Sequence, residues 1–155
     1  MSRISLSGTV AATTAALVAA SLLAPEANAA GQHWGTVYVV DRGDKVGAGY
    51  GDFANNGGVY ATVGANWVDM RNDGNPIYVE AAFSFWKEDV DGKWRWVLGK
   101  TVQSARSSRF KPVGDSLSAR LDAAATQVRA DIKVCEDIDL TTDICSPHAI
   151  LSFSY

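Results

Sequence analysis

Through residues 77–86 every second position is apolar, so that Ile77, Val79, Ala81, Phe83 and Phe85 share one side of an extended chain and Tyr78, Glu80, Ala82, Ser84 and Trp86 the other. This period of two predicts a strand whose first set faces the core. Residues 94–102 extend the pattern, with Trp94, Trp96, Leu98 and Val102 on one face against Arg95, Val97 and Thr101. Between the two runs, Asp89-Val90-Asp91-Gly92-Lys93 supplies turn chemistry, and the whole reads as a hairpin. Residues 127–135 alternate again, Val128, Ala130, Ile132 and Val134 inward and Arg129, Asp131 and Lys133 outward, and residues 149–155 place Ala149, Leu151, Phe153 and Tyr155 together.

Residues 34–40 are aromatic or β-branched at nearly every position and run into the turn Asp41-Arg42-Gly43-Asp44. Residues 46–52 carry Gly47, Gly49 and Gly51 on alternate positions, which strips one face of side chains and permits close backbone approach. The extended residues 59–70 are bracketed by Asn55-Asn56-Gly57-Gly58 and Asn72-Asp73-Gly74-Asn75, both rich in residues that tolerate positive φ. Residues 104–115, with Arg106, Arg109, Lys111, Pro112 and Gly114, read as a surface loop. A helix is expected in one place, residues 117–126, where Ala123-Ala124-Ala125 has high helical propensity. About seven short strands separated by turns predict an all-β fold, a small antiparallel β-sandwich in a single domain over residues 30–155.

The first 29 residues have a different character. Arg3 and the terminal amine are followed by a stretch without ionisable side chains up to Ala24, then the helix breaker Pro25 and the small-residue site Ala27-Asn28-Ala29. Residues 1–29 are therefore expected to be a secretory signal peptide cleaved after Ala29. A retained anchor would need a more uniformly apolar segment flanked by aromatic or basic residues. Removing 29 of 155 residues leaves 126, a usual size for one domain. Cleavage removes Arg3 and Glu26 together, so the net charge stays at −3. The remaining basic residues are scattered, which argues against a nucleic-acid groove. The expected location is extracellular, with no membrane contact after cleavage.

Export also governs the two cysteines, Cys135 and Cys145, because that compartment permits oxidation. A disulfide between them would contribute about 2 to 3 kcal/mol by constraining the unfolded chain. The competing reading is a metal site, but His148 as the one nearby imidazole makes a poor ligand set. No metal or cofactor is expected.

Several short motifs have a catalytic or ligand reading. Gly114-Asp115-Ser116-Leu117 spells the signature of GDSL-type esterases, whose serine is the nucleophile. Those enzymes place the motif on an α/β scaffold with an Asp-x-x-His near the C-terminus, whereas Cys145 stands three positions before His148 here; chance is the preferred explanation. His33 and His148 lack evident partners for acid or base work. The carboxylate pairs Glu88 with Asp89 and Asp137 with Asp139 fall in expected loops, where solvation accounts for them. Asp89-x-Asp91-Gly92 begins like a calcium loop, yet Trp94 and Trp96 fill later ligand positions, and a tight turn fits better. A turn likewise accounts for Arg42-Gly43-Asp44, which matches an integrin-binding tripeptide. No catalytic residue is assigned.

The five tryptophans carry the best local signal. Trp86 facing Trp94 or Trp96 across the hairpin would make a platform for sugar rings or an apolar patch for a protein. The competing expectation, preferred for Trp94 and Trp96, is that the indoles fill the core.

As a whole the mature chain resembles small secreted proteins of actinobacteria, in particular the adaptor subunits of umbrella toxin particles. The resemblance rests on the leader ending Ala27-Asn28-Ala29-Ala30, the mature length, the Val134-Cys135-Glu136-Asp137 and Asp143-Ile144-Cys145-Ser146 pair, and the terminal Leu151-Ser152-Phe153-Ser154-Tyr155. It implies a non-enzymatic linker that joins a lectin-bearing subunit to a large repeat-containing toxin polypeptide in an antibacterial complex. It further implies that the mature N-terminal stretch, Ala30, Gly31, Gln32, His33 and Trp34, enters a cleft on the lectin subunit. A frayed chain end is the alternative for these five residues. A carbohydrate-binding module working through Trp86, Trp94 and Trp96 is the alternative for the whole chain.

Overall fold

The structure, a computed structural model, describes residues 31–155. The expected signal peptide and Ala30 lie outside the described residues. Within them the chain forms nine strands and no helix: β1 (Gln32–Asp41), β2 (Asp44–Asn56), β3 (Tyr60–Asp69), β4 (Ile77–Glu88), β5 (Trp94–Gln103), β6 (Val113–Arg120), β7 (Gln127–Glu136), β8 (Ile144–Cys145) and β9 (Ala149–Ser154). Antiparallel pairing sorts them into two sheets. The first has the order β1-β2-β3-β6; the second runs β5-β4-β7, and the far edge of β7 is covered by β9 along Gln127–Ile132 and by β8 at Cys135 and Glu136. Hairpins join β1 to β2, β2 to β3 and β4 to β5, and the chain changes sheet after β3, β5 and β6.

The core lies between the sheets. The predicted inward sets of β4 and β7 are all buried, and Ala149, Leu151 and Phe153 of β9 pack against them. Phe153 stacks 4.8 Å from Phe53 of β2. The other sheet contributes Val39, Val46, Phe53, Val63, Trp67 and Leu117. The glycines of β2 have a packing role: a Cβ on Gly47 or Gly49 would stand 2.6 Å from a methyl of Ile77 or Val134 of the opposite sheet. Their absence of side chain sets how closely the sheets approach. Trp34 and Trp67 are the tryptophans that fill the interior, at 6% and 2% exposure.

The expected helix at residues 117–126 does not form. Leu117 and Ala119 continue the alternation as inward residues of β6, paired with Val63 and Ala61, so burial against the sheet overrides alanine's helical propensity. The three alanines fall in a turn in which Asp122 accepts hydrogen bonds from the amides of Ala124 and Ala125. The expected loop at residues 104–115 is shorter than read, because Val113, Gly114 and Asp115 already belong to β6.

One irregularity decides which side of β5 is wet. The register between β4 and β5 shifts at Phe83/Ser84, with Gly99 as the extra residue of β5. A Cβ there would meet the Phe85 ring at 2.4 Å, so the bulge is built on glycine. Before it Trp94, Trp96 and Leu98 lie opposite Glu88, Trp86 and Ser84 on the outer face; beyond it Val102 pairs with Ala81 and packs on the core. The face expected to be continuous is thus split between the two sides of the sheet. Trp94 and Trp96 are not core residues.

Candidate functional site

The outer face of the second sheet has two ends of different chemistry. At one end Glu80 of β4 accepts hydrogen bonds from Gln103 of β5 at 2.6 Å and from Lys133 of β7 at 2.9 Å. Burial pushes the Glu80 carboxyl up, but these two donors prevail and hold it below the usual glutamate range. Tyr78 donates to Asp143 at 2.6 Å, and the Arg106 guanidinium lies 4.6 Å over its ring while pairing with Asp137. Burial first and the Asp143 contact second push the Tyr78 phenol well above its ordinary value. The Cys135–Cys145 disulfide forms as expected beside this network and fastens β8 to β7.

Around the corner of the same end, Arg71 of the β3–β4 connection donates to Asp41 at 2.8 Å and to Glu136 at 3.0 Å, and also pairs with Asp73. Glu136 is 1% exposed; burial raises its carboxyl above the ordinary range in spite of Arg71. Every charged group named here has a partner. The cluster reads as a structural clamp between the β1–β2 turn, the β3–β4 connection and β7.

The other end is aromatic. Trp86 of β4 sits directly across from Trp96 of β5, with ring centroids 5.5 Å apart and planes inclined at 58°. Arg129 of β7 reaches diagonally over Trp96, its guanidinium carbon 4.7 Å from the ring centroid. Trp94 at 48% and Leu98 at 63% exposure extend the patch along the edge strand β5. Basic groups at its rim are neutralised: Arg95 pairs with Asp89, and Lys87 with Asp122 at 2.6 Å. The hairpin therefore does bring Trp86, Trp94 and Trp96 together, on the wet side. Arg129 was legible as an outward residue, but its stacking on an indole two strands away leaves no mark in sequence spacing.

Comparison with protein-family models, with curated proteins and with solved structures finds no match to this chain.

The remaining candidates fall elsewhere. Ser116 is exposed on β6, opposite Gly64 of β3, and Asp52 and His33 follow on β2 and β1. Asp52 thus stands about 10 Å from Ser116, two strand spacings away, and His33, paired with Asp52, is one strand further. No imidazole stands beside this hydroxyl. His148 lies 2.7 Å from Asp131 on the outer face of the second sheet. Arg42 and Gly43, with φ of 51° and 95°, form the turn between β1 and β2. Asp89 caps its own turn by accepting from the amides of Asp91 and Lys93. Among the described residues no group of three or more His, Cys, Asp or Glu side chains is gathered to hold a metal ion.

Of the N-terminal stretch, Gln32, His33 and Trp34 belong to β1; Gln32 and His33 are paired with β2, and Trp34 falls at a register shift between His33 and Gly35. Trp34 is anchored, its indole buried and its Nε1 donating to the Gly64 carbonyl at 3.3 Å. Gln32 donates to the Ser152 carbonyl of β9 at 3.0 Å. Gly31, Gln32 and His33 are exposed, on the edge of the sandwich away from β5.

Proposed function

We propose that this chain is a secreted protein-interaction module without a catalytic role, and that it works as an adaptor with two contact surfaces. The observation that carries the reading is the aromatic end of the second sheet, where exposed Trp94 and Leu98 and half-buried Trp86 and Trp96 lie around Arg129. Holding this much apolar surface in water is unfavourable for a free monomer, and clustered tryptophan and arginine are the residues that dominate protein interfaces. The second surface is the start of β1, where exposed Gln32 and His33 occupy the opposite edge. An adaptor needs two contacts that do not collide, and these two are separated by the width of the sandwich. The resemblance drawn from the sequence makes the partners a lectin-bearing subunit and a large repeat-containing toxin polypeptide in an extracellular antibacterial complex.

Affinity purification of the mature protein from its native secretions tests this. Two larger polypeptides should accompany it, one released by Trp94→Ala and the other by deleting residues 30–33. Recovery as a partnerless monomer would sink the reading.

Sugar binding by the tryptophans is the second reading, favoured by the exposed ring of Trp94. The 58° inclination of Trp86 to Trp96 weighs against it, because a shared stacking plane for pyranose rings is missing. Retention on polysaccharide that disappears with Trp86→Ala would reverse the preference.

A further inference from the structure

Among the described residues Arg129 and Arg71 are the half-buried arginines, whereas Arg95 and Arg106 are exposed. Arg71, Arg95 and Arg106 each meet at least one carboxylate. Among the described residues Arg129 meets none within 4 Å, and its Nε is buried without a hydrogen-bond acceptor. Its neighbours in register are uncharged, Ser84 on β4 and Ser152 on β9, and Asp131, two residues along the same face, is engaged by His148. A buried guanidinium N–H with no acceptor is costly to hold. It persists here because the Trp96 ring supports it from one side, which also fixes the plane in which it presents its terminal nitrogens.

We infer that Arg129 receives an aspartate or glutamate side chain of the protein partner, whose adjoining apolar residues cover Trp86, Trp94 and Leu98. This rests on the docking surface proposed above and specifies what it selects. The planar guanidinium donates two parallel hydrogen bonds to a carboxylate, and the indoles around it exclude water and strengthen the pair. Arg129 is the unpaired cation at the centre of the patch, since Lys87 and Arg95 at the rim are already matched. The notch between two inclined rings suits branched aliphatic side chains better than a flat sugar face, so the carboxylate is assigned to a polypeptide and not to a uronic acid.

The experiment uses the 15N-labelled mature protein and three probes: a short peptide with one glutamate between two leucines, its glutamine counterpart, and glucuronate. The glutamate peptide should shift the Arg129 Nε–H and Trp96 indole N–H resonances and bind at least tenfold more tightly than the glutamine peptide. Arg129→Gln should bring both peptides to the weaker value, and Arg129→Lys should keep part of the preference; backbone amide spectra of β4 and β7 verify that both variants fold. Equal binding of the two peptides, a preference that survives Arg129→Gln, or no shift with either peptide overturns the inference. So does glucuronate acting at lower concentration than the glutamate peptide. If both peptides bind equally and Trp94→Ala abolishes both, the docking surface stands and only the acidic preference falls. If native complexes survive Trp94→Ala, the surface itself falls.

Discussion

The two ends of the second sheet's outer face are built on the same three strands and use their side chains in opposite ways. At the Glu80 end donors and acceptors meet within the chain: Glu80 with Gln103 and Lys133, Tyr78 with Asp143, Arg106 with Asp137. At the Trp96 end Trp94 and Leu98 are exposed, Trp86 and Trp96 are half-buried, and the Arg129 Nε has no acceptor. A network that satisfies itself offers little to a partner and lends rigidity to the fold. A surface that leaves apolar area and charge uncompensated costs the monomer stability and returns it on association. The difference separates a self-satisfied polar network from an aromatic patch along one face about 30 Å in length, given roughly 3.3 Å per strand residue.

The largest effect is expected from breaking the satisfied end. Replacing Cys135 and Cys145 together by Ala should lower stability by about 2 to 3 kcal/mol, read as a fall in the urea midpoint, because β8 loses its tether. Partner affinity should change little; a large loss would mean that the two ends are not independent. Trp94→Ala tests the other end with the opposite signature, a weakening of about 2 kcal/mol in partner affinity, some 30-fold, with stability kept within about 0.5 kcal/mol. A strongly destabilised Trp94→Ala protein would return this indole to a structural role. Tyr78→Phe should cost about 1 kcal/mol of stability through the lost bond to Asp143 and leave binding untouched.

The smallest effect concerns pH. Burial raises the Glu136 carboxyl, so the folded state holds a proton that the unfolded chain has already released in the weakly acidic range. Stability from this group is therefore greatest at low pH and declines as pH rises from the ordinary glutamate value through the raised one. Glu136→Gln should flatten that decline, visible as a smaller difference between urea midpoints at pH 4 and pH 7. An unchanged pH profile would show that Arg71 compensates Glu136 fully.

Much of this contrast was legible before the structure, and the rest was hidden for identifiable reasons. β4, β7 and β9 each bury one face, and their period of two placed Ile77, Val128 and Leu151 on the correct side. β5 defeated the same rule because one extra residue inverts the parity on either side of Gly99. The Ala123-Ala124-Ala125 run misled because propensity is local, whereas the pairing of Leu117 with Val63 is not. For the candidate site, the gathering of Trp86, Trp94 and Trp96 followed from the hairpin, but which of the five indoles were wet depended on register. Arg129 over Trp96 is a contact between non-adjacent strands, and chain order carries no trace of it.

Gly99 also frees one half of a strand from the other. Because the inserted residue absorbs the change of side, the segment holding Trp94 and Trp96 can be rewritten without disturbing Val102, which serves the interior. Substitution in five residues of one outer strand can thus remake the outer surface, while the packing determinants remain untouched beyond the kink.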